Sequence, residues 1–337
     1  MKNILLALML ITVAHGIVFS QIKNLKVDST QNNFALPKGY ETIALGAIPE
    51  YKKIGKGKVA MILIAGYGFD ASIFDDFMKS NKSRYIMYAI TVPGFGNTQA
   101  QVTPKEGTSF GEQTWNKGVI EGLSKLIDNE KLTKPIVVGH FTAGTQIALR
   151  MAIDYPDKVG GVIIIGGPAK FLPVQNGKVM ELPLEMRVMG TDKYSAPFFK
   201  VVSKATWDSN SYTKELYSQN EKVGGELWNM QASVPLPVMV RYLCEFQAAD
   251  VTLDMSKIKC PVLILRPGFS SDLITHPEDG TVNYIKPQFI DSWESAKKQN
   301  PAIEIQDVPN SSAFIWKDQP EEVNKQIVKF VKAKVDN

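Results

Sequence analysis

Six short apolar runs limit what this chain can fold into: residues 59–65, 85–91, 135–138, 161–165, 261–265 and 303–308. Most lack the apolar–polar alternation of a strand with one wet face, so they read as strands covered on both sides. Amphipathic stretches separate them. Ser109-Phe110-Gly111-Glu112 has capping-box spacing ahead of a stripe formed by Trp115, Val119, Leu123, Leu126 and Ile127. Residues 145–155 continue with Ile147, Ala148, Met151 and Ala152 on one side. The last amphipathic stretch opens at Asp318-Gln319-Pro320, with proline in an allowed first-turn position, and repeats at Val323, Ile327, Phe330 and Val331. This alternation predicts an α/β protein with a mainly parallel central sheet and helices on both faces.

One segment interrupts the alternation. Residues 168–257 carry Phe198, Phe199, Trp207, Trp228, Met230 and Met239 at helical rather than strand spacings. They read as a helical cap inserted over the end of the sheet, dividing the core into 21–167 and 258–337. Its aromatic residues are candidates to line an apolar pocket, although such residues more often pack as plain core.

Composition narrows the class of partner. With 44% hydrophobic and 21% charged residues the chain is far from disordered composition. Its 38 basic and 34 acidic side chains are dispersed, giving a net charge of +4 without basic runs interleaved with aromatics. Nothing in that pattern asks for nucleic acid or a membrane surface. Residues 1–20 read as a signal peptide: Lys2 supplies the positive start, 4–13 is apolar apart from Thr12, and Val18 and Ser20 suit cleavage before Gln21. The run falls short of the roughly 20 residues that span a bilayer, so export with no stable membrane insertion after cleavage is expected. Export permits a disulfide between Cys244 and Cys260, while the apolar run after Cys260 equally suits a packed thiol. Two Cys and three His argue against a structural zinc site. The oligomeric state stays open.

Four local patterns, in order along residues 39–335, are similar to those of the α/β-hydrolase fold family. Ile62-Leu63-Ile64-Ala65-Gly66-Tyr67-Gly68 resembles the strand and turn whose amides form the oxyanion hole. Ala89-Ile90-Thr91-Val92-Pro93-Gly94-Phe95-Gly96 resembles the family's strand followed by a Pro-Gly-x-Gly loop. Val137-Val138-Gly139-His140-Phe141-Thr142-Ala143-Gly144 stands at the nucleophile elbow, and Val308-Pro309-Asn310-Ser311-Ser312-Ala313-Phe314 where the catalytic histidine is carried. The resemblance implies a sheet-and-cap hydrolase architecture, a small-molecule ligand or substrate, and no cofactor or metal.

The resemblance also implies a nucleophile, a base to take its proton and a carboxylate to orient that base. Here the chain departs from the pattern. If Gly139 opens the elbow, the tip is Phe141, which has no nucleophilic group, and Ala143 is the small residue two places on. In the other register Thr142 is the tip, with Gly144 at +2 and Ala148 six places on, but bulky His140 at −2. Both registers stand. Ala313 holds the histidine position, and a methyl group carries no proton. His140, beside the elbow, and His276, in the loop after run 261–265, are the remaining candidate bases. Asp272 matches the acid, with Glu278 and Asp279 nearby; a turn-capping role is the alternative. Gly66 and Tyr67 belong to the oxyanion turn, where Tyr67 offers a pocket-facing amide.

Gly66-Tyr67-Gly68-Phe69-Asp70-Ala71, after a strand, also fits a loose dinucleotide-binding fingerprint. It needs an acidic residue at the end of the next strand, and 89–93 has none. The expectation is an exported α/β-hydrolase-type protein with a capped apolar pocket and an incomplete triad, binding a small apolar or amphiphilic molecule without turnover. The alternative is an active hydrolase of an ester, amide or similar bond, using Thr142 with Asp272 and His276 or His140.

Overall fold

A computed structural model describes residues 30–48, 50–175, 178–209, 214–269 and 285–335. Seven strands form the central sheet: β1 (Tyr51–Gly55), β2 (Val59–Ile64), β3 (Tyr85–Ile90), β4 (Ile136–His140), β5 (Gly161–Ile165), β6 (Val262–Gly268) and β7 (Glu304–Pro309). Their spatial order is β7-β6-β5-β4-β2-β3-β1. All neighbours run parallel except β1, which pairs antiparallel to β3 with Tyr51 opposite Ile90. Each of the six apolar runs overlaps one strand. Residues 61–64, 136–140 and 161–165 are buried throughout, as strands covered on both faces must be.

Helices α1 (Asp75–Asn81), α2 (Thr114–Asn129) and α3 (Phe141–Asp154) follow β2, β3 and β4. The insertion holds α4 (Leu184–Gly190), α5 (Ala196–Val201), α6 (Lys204–Ser209), α7 (Lys214–Tyr217), α8 (Glu221–Ala232) and α9 (Leu236–Gln247). It also contains a small hairpin of Val174–Gln175 with Lys178–Val179, which helical spacing did not anticipate. Helix α10 (Ser292–Gln299) precedes β7, and α11 (Ile315–Asp318) leads into α12 (Pro320–Lys334).

The capping box works differently from the sequence expectation. Ser109 Oγ accepts from Gly111 N and caps only the 3-10 turn Phe110–Glu112. Gln113, at φ 56°, breaks the chain direction before α2 begins. The cap of α2 comes from the insertion instead: both carboxylate oxygens of Glu245, on α9, accept from Trp115 N and Asn116 N at 2.9 Å. Beside it, the Arg241 guanidinium lies over the rings of Phe34, Phe110 and Trp115 at 5.2–5.5 Å. At the insertion's other root, Asp250 lies 3.3 Å from Lys170 and 3.7 Å from Arg187, all three buried. The charges are matched by partners, as burial requires.

Burial raises the Glu245 carboxyl to about 7, against the two backbone donors and Arg241, which favour its charged form. A folded-state value above the unfolded one means the folded chain holds this proton more tightly. Its contribution is complete below the ordinary carboxyl range and is lost as pH rises through about 7. Raising pH from 5 to 8 is therefore expected to lower wild-type stability relative to Glu245→Gln, by up to about 3 kcal/mol. Paired thermal melts of the two proteins at both pH values test this, and a pH-independent difference would refute it.

Cys244 and Cys260 are free thiols rather than a disulfide. Burial raises both thiols above their ordinary value, Cys260 to about 11.

Candidate functional site

Strand β4 passes directly into α3, and the junction decides the register left open above. His140 is extended, whereas Phe141 sits at φ +53°, a conformation that L residues adopt only when the surroundings impose it. The surroundings are backbone. A Cβ added to Gly139 would lie 2.4 Å from the Gly144 carbonyl oxygen and 2.7 Å from Ala148 Cβ. One added to Gly144 would lie 2.7 Å from the Ile64 oxygen. Strand and helix touch through these small residues, and the tip of the turn is Phe141. Thr142 and Ala143 follow within the first turn of α3, both buried.

Phe141 does not face an open cleft: its ring is fully buried. It meets Phe69 edge-on at 5.9 Å and lies 5.8 Å from Phe289, 6.2 Å from Tyr217 and 6.4 Å from Phe314. Thr142, one place beyond the tip, makes no side-chain hydrogen bond to a described residue.

His140, the last residue of β4, is also fully buried. Its ring sits 4.3 Å from Phe314 and 4.4 Å from Trp316, with Phe69 and Phe74 beyond. Neither ring nitrogen forms a hydrogen bond of normal geometry. Burial pushes its proton affinity well below the usual imidazole range, and the Ala313 backbone opposes this only in part. An imidazole so caged stays neutral and is poorly placed to take a proton from a hydroxyl.

The oxyanion turn is bound to the insertion. Gly66 abuts the tip, since an added Cβ would come within 2.4 Å of Phe141 Cβ. The Tyr67 hydroxyl donates to the Met239 carbonyl at 2.8 Å, and its own carbonyl accepts from Gln231 Nε2 at 2.8 Å. Gln231 Oε1 in turn accepts from the Tyr217 hydroxyl at 2.5 Å. Sequence reading missed both Gln231 and Tyr217, because contacts spanning this much chain leave no local signal.

The histidine-position loop is tied to the same insertion. Ala313 N donates to the Leu216 carbonyl at 2.9 Å and Phe314 N to the Tyr217 carbonyl at 3.0 Å. The Asp318 carboxylate accepts from Ser312 N at 2.8 Å, Ser218 Oγ at 2.5 Å and Gln219 N at 3.1 Å. Ala313 itself is fully buried. Asp272 and His276, with Glu278 and Asp279, lie outside the described residues. Among the described residues, Phe141, Ala313, Tyr67, Gly66 and His140 converge on one end of the sheet. Ring contact joins His140 to Phe141 and close packing joins Gly66 to Phe141, while Tyr67 and Ala313 are hydrogen-bonded to the insertion, and no proton relay runs among these described residues.

Among the described residues no cluster of three or more His, Cys, Asp or Glu could hold a metal ion, and no helix is long and apolar enough to cross a membrane. The glycine turn after β2 leads into a 3-10 turn capped by Asp70, not into the helix a dinucleotide-binding turn requires.

No family model matches the chain. It is 24% identical over 174 residues to a 2-hydroxy-6-oxononadienedioate/2-hydroxy-6-oxononatrienedioate hydrolase of Paraburkholderia phymatum, a match covering 49% of this chain and 56% of that protein. It is 23% identical over 121 residues to a pimeloyl-[acyl-carrier protein] methyl ester esterase of Wigglesworthia glossinidia brevipalpis, covering 36% and 41%. The chain thus spans about half the length of the curated relatives it matches. Among solved structures, a thermophilic esterase from Thermogutta terrifontis superposes with a TM-score of 0.59 at 15% identity, over 84% of this chain and 93% of that one. A hydrolase from Oleispira antarctica gives 0.59 at 14% identity, over 87% and 99%. Sheet order, the tight strand-to-helix turn and these superpositions define an α/β-hydrolase fold.

Proposed function

We propose that this chain is an exported, non-catalytic α/β-hydrolase-fold protein that binds a small apolar or amphiphilic molecule between the sheet and its helical insertion, which acts as a lid. The observation that carries the reading is Phe141 at the tip of the strand-to-helix turn, with a carbon side chain where acyl transfer needs a nucleophile. Ala313 supports it by removing the base from its usual place. The apolar ligand class is argued from the closed aromatic cluster of Phe69, Tyr217, Phe289 and Phe314 packed around that tip, which a ligand would reach only when the insertion moves off the end of the sheet. Export rests on residues 1–20, and sequencing the mature N-terminus should read Gln21 first.

The second reading, an ester or amide hydrolase using Thr142 with Asp272 and His276 or His140, is favoured by the hydrolase and esterase names of the relatives. One experiment separates the two. The mature protein and Thr142→Ala are treated with a fluorophosphonate probe and a short-chain nitrophenyl ester, and titrated with a fluorescent single-chain amphiphile. The receptor reading expects no labelling and no turnover, with saturable amphiphile binding. Labelling or turnover that disappears in Thr142→Ala would establish the hydrolase instead.

A further inference from the structure

At the far end of the sheet from Phe141 lies a groove of about 390 Å³ lined by Arg84, Asn324, Lys325, Val328, Lys329 and Lys332. Arg84 immediately precedes the first residue of β3, while α12 runs back along the sheet until Val335 packs against Gly161 at the start of β5. The end of α1, three residues before Arg84, is tied to α12 by Asn81 Nδ2 donating to Asn324 Oδ1 at 2.7 Å. The groove is therefore a fixed feature of the fold, framed by helix and turn.

Its charge is lopsided. Four basic side chains border it, their aliphatic stems forming most of its wall, and one of them, Lys325, lies 3.2 Å from half-buried Glu322. Lys329 and Lys332 make no ion pair among the described residues. Arg84 reaches only Asn81 Oδ1, at 3.5 Å. A second basic loop adjoins it: Lys56 N donates to the Lys82 carbonyl at 3.0 Å, and Gly57 presses against the Arg84 backbone, bringing Lys56 and Lys58 alongside. Unpaired cations gathered at one place repel one another, and a multivalent anion relieves that repulsion.

We infer that the rim of this groove binds phosphate-bearing anions, the Arg84 fork and the Lys325, Lys329 and Lys332 ammonium groups holding the phosphate oxygens above the apolar floor that their stems form. Phosphate chemistry of this kind comes either from a soluble polyphosphate or from lipid headgroups. The inference is independent of what the Phe141 end of the sheet does.

The test measures binding of inorganic pyrophosphate by calorimetry at low salt, and of vesicles of phosphatidylcholine with phosphatidylglycerol by flotation. Wild type is compared with Lys329→Gln/Lys332→Gln and with Lys105→Gln, an exposed lysine outside the groove. Expected is binding to at least one probe, weakened about tenfold or more by the groove pair and by added salt but unchanged by Lys105→Gln. Pyrophosphate binding identifies the soluble source, and vesicle binding alone identifies the lipid source. Failure to bind either probe overturns the proposal. So does an affinity that the groove pair leaves unaltered, or one that Lys105→Gln lowers equally. The variants change exposed side chains, so their melting temperatures should match wild type.

Discussion

Gly139→Val is expected to leave little or no folded protein, with a loss of about 4 kcal/mol or more. The new Cβ would enter backbone: it falls 2.4 Å from the Gly144 carbonyl oxygen and 2.7 Å from Ala148 Cβ. Neither side can retreat. Strand β4 is held in the middle of the sheet between β2 and β5, and Gly144 is itself pressed toward the Ile64 carbonyl. Separating α3 from β4 to make room would open the most deeply buried layer of the molecule. A whole domain is stabilised by only about 5–15 kcal/mol, so a strain of this size dominates. Soluble yield and the urea midpoint measure the effect. Gly190→Ala is the control, because an added Cβ there meets nothing within 4 Å. It should be neutral or stabilising by up to about 1 kcal/mol. A Gly139→Val protein unfolding at the wild-type midpoint would show that the strand-to-helix contact is looser than described.

That contact also explains where sequence reasoning stopped. The runs located the inner strands because a strand buried on both faces must be apolar throughout, a signal contained in a few adjacent residues, whereas the edge strand β7 is only partly buried and carries Glu304, Gln306 and Asp307. The register of the turn was not legible. Counting from the helix pointed to Thr142 because Ala148 is small, but Ala148 is small for another reason: it packs against Gly139. Only the backbone, with Phe141 at positive φ, separates the two registers. Glu245 was invisible for a different cause. A carboxylate that caps α2 from about 130 residues away leaves no spacing to detect, whereas Ser109 and Glu112 offered a local box that caps only a short turn. Proline at the start of α12 was legible because its effect is local.

Phe141→Ser is expected to cost about 3–5 kcal/mol, and this stability measurement tests what the turn has become. Where a tip residue borders an open substrate cavity, trimming it lets solvent fill the space and costs little. Here the ring is fully buried among Phe69, Tyr217, Phe289 and Phe314, so trimming it leaves an apolar void and adds a buried hydroxyl. Thr142→Ala, one residue on, should cost only about 1 kcal/mol. Neither change is expected to produce ester turnover, since a serine at the tip still lacks a base while Ala313 stands in the histidine position. Introducing Ala313→His together with Phe141→Ser supplies both missing groups, one on the turn and one on the loop before α11, and nitrophenyl-ester hydrolysis should then rise above that of either single variant. Chemical denaturation of Phe141→Ser is the decisive reading. A variant as stable as wild type would mean that the Phe141 ring borders open space rather than filling the core. The turn would then be a substrate-facing one whose nucleophile must be sought elsewhere.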